Sequence, residues 1–226
     1  VRLPRLPQPG ESVIGNKLDT ACGGKGANQA YAIARMGAPV RMIGCVGDDA
    51  PANLMLNNLR AVGVDTIHVS QHRGINSGTA FILIDDASGQ NEIVVVAGAN
   101  MALTVDDVRA CADAIRTSAM LVAQLETPIE VTREAFGIAR AAGVTTLLNP
   151  APFAPMDDAL LRLCDYVVPN ETEASALVGF AVNSADDAAR AADAIKQRGV
   201  KHVLITLGAS GVWVDADGWR GLVSAP

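Results

Sequence analysis

A glycine cluster that runs directly into a predicted helix carries the densest chemical signal in the chain. Residues 23–30 read GGKGANQA. Glycines let a backbone approach a ligand closely, and the first turn of a helix offers free N–H groups. Lys25 and Asn28 would add directed donors and an acceptor, which suits a ligand rich in hydroxyl groups. A tight turn that simply needs several glycines explains the pattern about equally well.

Two common phosphate-binding fingerprints do not fit this cluster. Lys25 is followed by Gly26 rather than by Ser or Thr, and no glycine stands at the required upstream position, so the cluster is not a Walker A loop. Gln29 stands where the last glycine of G-x-G-x-x-G belongs. This mismatch speaks against an NAD-dependent oxidoreductase.

Two further polar residues directly follow predicted strands. Glu126 follows the apolar run 120–125, and ligands of open parallel sheets bind beyond the carboxyl ends of the strands. A carboxylate there can accept two hydrogen bonds from hydroxyl groups, although a solvated loop acid would give the same sequence. Asn149 opens the segment NPAP, whose prolines indicate a turn, and we assign it no firm role.

The segment PNETE, residues 169–173, follows a predicted strand and opens a helix. Asn170 at the N-cap and Glu173 three residues later would form a capping box. The same amide and carboxylate would point to the sheet edge, where hydrated Mg²⁺ could be steered toward nucleotide phosphates. The two roles are compatible.

A glycine-flanked turn, LGASG at residues 207–211, follows the predicted strand 202–206. The backbone N–H groups of such a turn can cradle a nucleotide. An ordinary hairpin turn has the same pattern. Each of these signals is weak alone, so their order and combination decide the function.

Helical and strand patterns alternate along the chain, which predicts an α/β fold with a parallel sheet and helices on both faces. The predicted helices cover 27–36, 52–61, 105–116, 130–142, 157–163 and 185–198, and the predicted strands cover 40–46, 120–125, 145–148, 166–168 and 202–206. Residues 79–84 and 92–96 flank a polar turn and predict a β-hairpin. This hairpin would be a flap over the site, an oligomer contact or an extension of the main sheet.

Composition narrows the class of protein. The chain has 226 residues, 50% of them hydrophobic, and a net charge of −6, which predicts one main domain and makes nucleic acid an unexpected partner. No apolar stretch approaches the roughly 20 residues that cross a bilayer, so no membrane contact is expected. The four cysteines are far apart and form no C-x-x-C pair, which favours core packing in a reducing cytoplasm.

Seven short motifs occur in order along essentially the whole chain. They are GGKGANQA at 23–30, GDD at 47–49, AGAN at 97–100, QLE at 124–126, LNPAP at 148–152, PNETE at 169–173 and ITLGASGV at 205–212. In this combination they resemble the ribokinase group of the PfkB carbohydrate kinase family.

The resemblance implies a fold and a reaction. The fold is α/β, a ribokinase-like three-layer αβα sandwich with a mainly parallel sheet and a small β-lid. Residues 1–21 and 75–97 would form the lid, and residues 22–74 and 98–226 the core domain. The reaction would be ATP-dependent phosphorylation of D-ribose to ribose 5-phosphate, or of another pentose or a nucleoside. The lid would also form the contact of a homodimer.

The resemblance also implies a set of site residues. Those at sugar-binding positions are Gly24, Lys25, Gly26, Ala27, Asn28, Ala80 and Glu126. Those at ATP-binding positions are Asn170, Thr206, Leu207, Gly208, Ala209, Ser210 and Gly211. Asn170 and Glu173 match the N-x-x-E motif that organises Mg²⁺ and phosphates.

Further parts of the family's pattern have no match in the chain. The resemblance places a first strand with a sugar contact before Val1, and the G-A-G-D motif with its aspartate base beyond Pro226. K⁺ ligands belong to that second region. We therefore predict no catalytic residue within the chain and expect it to be nearly inactive as written. The alternative hypothesis is a remnant that binds sugar or nucleotide without turnover.

Overall fold

The computed structural model describes residues 1–225. The chain divides into two compact units, Val1–Ala102 and Leu103–Pro226. The elements of the first unit are β1 (Arg2–Leu3), α1 (Lys25–Arg35), β2 (Arg41–Gly47), α2 (Ala50–Ala61), β3 (Asp65–His72), β4 (Thr79–Asp85), β5 (Asn91–Val96) and a 3-10 helix (Gly98–Ala102). Its two sheets are a parallel β2–β3 pair and a three-stranded sheet in the order β1-β4-β5.

The predicted hairpin is confirmed as β4 and β5. The two strands pair antiparallel from Thr79 opposite Val96 to Ile84 opposite Asn91. The carboxylate of Asp85 accepts hydrogen bonds from the backbone N–H groups of Ala87 and Ser88, which fixes the polar turn. The assignment of residues 1–21 and 75–97 to a lid stays a prediction.

The second unit is built around one six-stranded sheet in the order β11-β10-β9-β8-β7-β6. Its elements are α3 (Val105–Ala110), α4 (Ala112–Arg116), β6 (Met120–Ala123), α5 (Ile129–Ala141), β7 (Thr145–Leu148), α6 (Asp158–Leu161), β8 (Tyr166–Val167), α7 (Glu171–Val178), α8 (Ala185–Gln197), β9 (His202–Thr206), β10 (Val212–Ala216) and β11 (Trp219–Val223). Strands β6 to β9 are parallel to one another. Strand β10 pairs antiparallel with β9, and β11 pairs antiparallel with β10. The parallel strands therefore end at one common edge.

Helix α8 buries one face in the core of the second unit. Ala188, Ala191, Ala192 and Ile195 are fully buried, which is the i, i+3, i+4, i+7 pattern of one helix face. Small alanine side chains let this helix pack closely on the sheet, and burying Ile195 contributes about 1.5–3 kcal/mol.

The structure corrects several details of the sequence analysis. The predicted helix 105–116 is two helices, because the backbone leaves helical geometry at Cys111 (φ −95°, ψ 7°). Strand β3 was not predicted, because it is rich in polar residues and its Ile67 is exposed. Cys22 is half-buried at the surface rather than in a core, whereas the other three cysteines are buried.

Within residues 1–225, no helix combines the length and hydropathy that a bilayer-crossing segment needs.

Candidate active site

The start of α7 is a complete capping box. Asn170 Oδ1 accepts a hydrogen bond from the Glu173 backbone N–H at 2.8 Å, and Glu173 Oε2 accepts one from the Asn170 N–H at 2.9 Å. This confirms the predicted box, which typically contributes about 1 kcal/mol. Among the described residues, neither Asn170 Nδ2 nor Glu173 Oε1 has a hydrogen-bond partner. Both side chains are thus fixed, and each keeps one polar atom for a ligand.

The loop of residues 206–211, called here the 206–211 loop, lies directly beside this box. The Thr206 N–H donates to Pro169 O at 3.0 Å, and Asn170 and Thr206 form a parallel β-bridge. The loop closes on itself, because the Leu207 N–H donates to Gly211 O at 2.8 Å. The structure therefore brings the predicted Mg²⁺-steering residues and the predicted nucleotide turn together at one sheet edge.

Several backbone N–H groups at this edge are open donors. Those of Glu171, Thr172, Gly208 and Ala209 have no acceptor in the described part of the chain. The positive end of a helix and an irregular turn both favour bound anions through such groups. This arrangement can hold phosphate oxygens without any basic side chain.

Two predicted residues of the 206–211 loop have clear structural roles. Leu207 is 6% exposed and its side chain packs in the hydrophobic core, while its place at the nucleotide site stays a prediction. Gly211 has φ +107°, and a Cβ there would lie 2.0 Å from Val223 O. Glycine is therefore required at 211 by the close approach of the end of β11. Ala209 and Ser210 are exposed.

Asn149, which follows β7, forms hydrogen bonds with the ends of both neighbouring strands, β6 and β8. Its N–H donates to Ala123 O and its Nδ2 donates to Val168 O, both at 2.9 Å. Sequence analysis gave this residue no role, although an asparagine between a strand and a proline was the available signal.

Glu126 lies half-buried just beyond β6, and the neighbouring Leu125 N–H donates to Ala151 O at 3.0 Å. The predicted strand-end position of Glu126 is thus confirmed, and its sugar-binding role stays a prediction.

In the first unit, the glycine cluster forms the uncapped start of α1. Gly24 is the N-cap with φ 95° and makes no side-chain capping bond, and the first turn contains no acidic residue. Lys25 opens the helix, where a cation costs about 0.3–1 kcal/mol against the helix dipole. A residue choice that is locally unfavourable is typical of a functional position. The N–H groups of Gly26 and Ala27 have no side-chain cap.

A pocket of about 490 Å³ adjoins this helix start. It is lined by Ala21, Cys22, Gly23, Ala27, Asn28, Tyr31, Met55, Asn58 and Leu59. Asn28 is exposed, while Ala27 packs against the small core around Ala30 and Leu59. Ala80 lies exposed on β4, opposite Val95.

Comparison with known proteins identifies the family. The model of the pfkB family of carbohydrate kinases matches residues 3–223. The chain belongs to this family. The chain is 41% identical over 218 residues to a ribokinase of Haemophilus influenzae, and the match covers 96% of this chain and 71% of that protein. It is 43% identical over 210 residues to a ribokinase of Staphylococcus aureus, covering 92% and 69% of the two chains.

Solved structures place the fold in the same family. The structure of Arabidopsis thaliana ribokinase complexed with ribose and ATP has a TM-score of 0.88 and 30% identity, covering 99% of this chain and 73% of that chain. A ribokinase from Thermotoga maritima has a TM-score of 0.85 and 28% identity, with 99% and 72% coverage. The predicted ribokinase-like α/β fold and the predicted class, a carbohydrate kinase, are confirmed. The roles of the individual site residues stay predictions.

Proposed function

We propose that this pfkB kinase transfers the terminal phosphoryl group of ATP to the 5-hydroxyl of D-ribose. The observation that carries the proposal is its likeness, over 99% of its length, to a ribokinase structure that contains ribose and ATP. The second unit supports the proposal with a sheet edge suited to phosphate, at which the capping box of α7 adjoins the 206–211 loop.

The nucleotide is proposed to bind at that edge. The open N–H groups of Gly208 and Ala209 would hold phosphate oxygens, and Asn170 Nδ2 would add a side-chain donor. Thr206 and Ser210 offer hydroxyl groups at either end of the loop. Fixed donors of this kind suit phosphoryl transfer, which depends mainly on positioning and charge stabilisation.

For the sugar we propose contacts at the start of α1 in the first unit and, separately, at Glu126 in the second. Gly24 and Gly26 leave the backbone open to close approach, and Lys25 and Asn28 offer donors and an acceptor to hydroxyl groups. Glu126 would accept hydrogen bonds from further hydroxyls, and Ala80 of β4 would cover the sugar from a lid.

The residues at the phosphate edge fit a hydrated Mg²⁺ ion. Glu173 is 8% exposed and held by Asn170, so its remaining oxygen, Oε1, has a fixed place from which to bind metal-coordinated water. Bound with ATP, the ion would neutralise phosphate charge. For K⁺, we propose no ligand among the described residues.

We further propose a homodimer through the β4–β5 hairpin. All of β5 is exposed, with Ile93 56% and Val95 62% accessible, and Phe81 of β4 is 55% accessible. A contiguous apolar strand pair of this kind favours burial against a second copy.

Three buried free cysteines also suit the reducing cytoplasm in which we expect the reaction.

Sugar-dependent formation of ADP tests the proposed activity. We expect turnover with D-ribose in a protein that also carries the family's G-A-G-D motif, and every kinetic measurement uses that protein. We expect this chain itself to bind both ribose and ATP in calorimetry. 2-Deoxyribose is the second candidate, because a deoxyribokinase of Salmonella typhi is 34% identical over 94% of this chain. A higher kcat/KM for 2-deoxyribose would replace ribose as the substrate. The absence of both turnover and binding with either sugar would refute the proposal.

A further inference from the structure

The carboxylate of Glu171 lies against the 206–211 loop without serving the capping box. A Cβ added to Gly208 would lie 3.7 Å from Glu171 Oε1. Glu171 is the first residue of α7 and is half-buried. The box next to it is made by Asn170 and Glu173 alone. In the part of the chain that the structure describes, the Glu171 side chain has no hydrogen bond or ion pair.

This carboxylate stands among groups that otherwise favour an anion. The open N–H groups of Glu171, Thr172, Gly208 and Ala209 belong to the two segments that the Asn170–Thr206 bridge holds together. Such donors attract phosphate oxygens. A fixed negative charge beside them repels the same oxygens, because like charges are disfavoured. At this edge the N–H groups attract a metal-free triphosphate, and the Glu171 carboxylate repels it.

A divalent cation resolves this conflict. It reduces the negative charge of the triphosphate and attracts the nearby carboxylate, so the penalty imposed by Glu171 falls on the metal-free nucleotide. We propose that Glu171 is a specificity-determining residue that makes this site discriminate against metal-free ATP. The inference rests on the proposed nucleotide site and adds to it a residue outside the Asn170–Glu173 pair.

The expected size of the effect follows from Coulomb's law. One unit charge about 6 Å from another changes an equilibrium about threefold in water and about a hundredfold at the effective permittivity of a protein surface. Because Glu171 is only half-buried, the effect belongs near the lower end of that range. We expect a factor of about three to ten at low ionic strength, and less at high salt.

Calorimetry with ATP, in excess MgCl₂ and separately in excess EDTA, tests the inference on the full chain. The ratio of the two dissociation constants measures the discrimination. In Glu171→Gln, metal-free ATP should bind about three- to tenfold more tightly, while Mg·ATP should not gain affinity. The ratio should therefore fall by at least about threefold. Glu171→Asp keeps the charge and should keep most of the discrimination.

Glu130→Gln is the matched control, because it also removes a first-turn carboxylate from a helix. Its helix, α5, packs against α3, α4, β6 and β7. An unchanged ratio in Glu171→Gln, or an equal fall in Glu130→Gln, would overturn the inference and leave the nucleotide site standing. If the unchanged chain binds ATP under neither condition, the proposed nucleotide site fails and the inference fails with it. A loss of structure alone would weaken both forms of ATP together and leave the ratio unchanged.

Discussion

At the scale of single residues, Glu173 has a structural task in the capping box and a proposed task in binding hydrated Mg²⁺, and substitutions can separate the two. Glutamine at the N3 position of a capping box can replace glutamate, because its side-chain oxygen also accepts from the N-cap N–H. Alanine cannot. The buried position of Glu173 makes both tasks sensitive to its replacement.

We therefore expect Glu173→Ala to lower the free energy of unfolding by about 1–2 kcal/mol, and Glu173→Gln to lower it by less than about 0.5 kcal/mol. Both variants should lower kcat at limiting Mg²⁺, since both lose the carboxylate. Denaturant unfolding and Mg²⁺ titrations of the kinase rate measure the two effects. Equal loss of stability in the two variants would contradict this separation.

Lys25 allows a second residue-scale prediction, in which function and stability diverge. Lys25→Ala should raise the KM for ribose at least about tenfold, because the proposed charged hydrogen-bond donor to a sugar hydroxyl is lost. The free energy of unfolding should change by less than about 1 kcal/mol, since a cation at a helix N-terminus is itself unfavourable. Sugar kinetics and thermal unfolding measure the pair of effects, and Lys17→Ala, an exposed lysine before the cluster, is the control.

At the scale of elements, the side chain of Asp49 links the start of α2 to the segment before β4 through hydrogen bonds. Its carboxylate accepts hydrogen bonds from the Ala52 N–H at 3.0 Å and from the Ser77 N–H and Oγ at 2.7 Å. The Ser77 hydroxyl is the largest cause of a pKa of Asp49 below its ordinary value. Ser77 is 1% exposed and also accepts from the Gly47 N–H.

Ser77→Ala should lower the free energy of unfolding by about 1–3 kcal/mol at pH 7, because two hydrogen bonds are lost and Gly47 is left with a buried donor. The folded pKa of Asp49 is depressed, so its contribution is present above the unfolded value of about 3.9 and is lost as the pH falls through the folded pKa. The difference between the original chain and Ser77→Ala should thus shrink from pH 5 to pH 2. A constant difference over that range, measured by urea unfolding, would contradict the role of this hydrogen bond.

Features set by neighbouring residues were predictable at this scale, and those set by distant packing were not. The box of Asn170 and Glu173 depends on four consecutive residues, so its sequence pattern was sufficient. The polar strand β3 forms through pairing with β2, which lies more than a helix away in sequence. The break at Cys111 likewise interrupts a run whose local pattern favours one continuous helix.

At the scale of the whole molecule, the exposed hairpin predicts concentration-dependent association. Val95→Asp should shift the chain from dimer to monomer, because a charge replaces an exposed apolar side chain at the proposed contact. Sedimentation equilibrium measures the change. Ile67→Asp, on β3 and 78% exposed, is the matched control and should leave association unchanged. A monomeric parent chain at high concentration would exclude the dimer.

Sequence alone also indicated which residues of the site to examine, because the motifs occur in order along the chain. It could not tell which residues of a motif have a packing role in the fold. Leu207 and Gly211 lie in the same glycine-flanked turn as Gly208. The side chain of Leu207 packs in the core, whereas Gly211 lacks a side chain where the end of β11 approaches closely. The requirement at Gly211 depends on Val223, 12 positions later, and local patterns do not contain it.

The contact between Gly211 and the end of β11 has one more consequence. Because the carbonyl of Val223 fills the space where a side chain at 211 would be, detachment of the last strand would leave the turn unsupported. We expect loosening of β11 to weaken the affinity for ATP, although β11 contributes no residue to the proposed nucleotide site. Protection of the Gly211 amide against hydrogen exchange offers a direct gauge of that dependence.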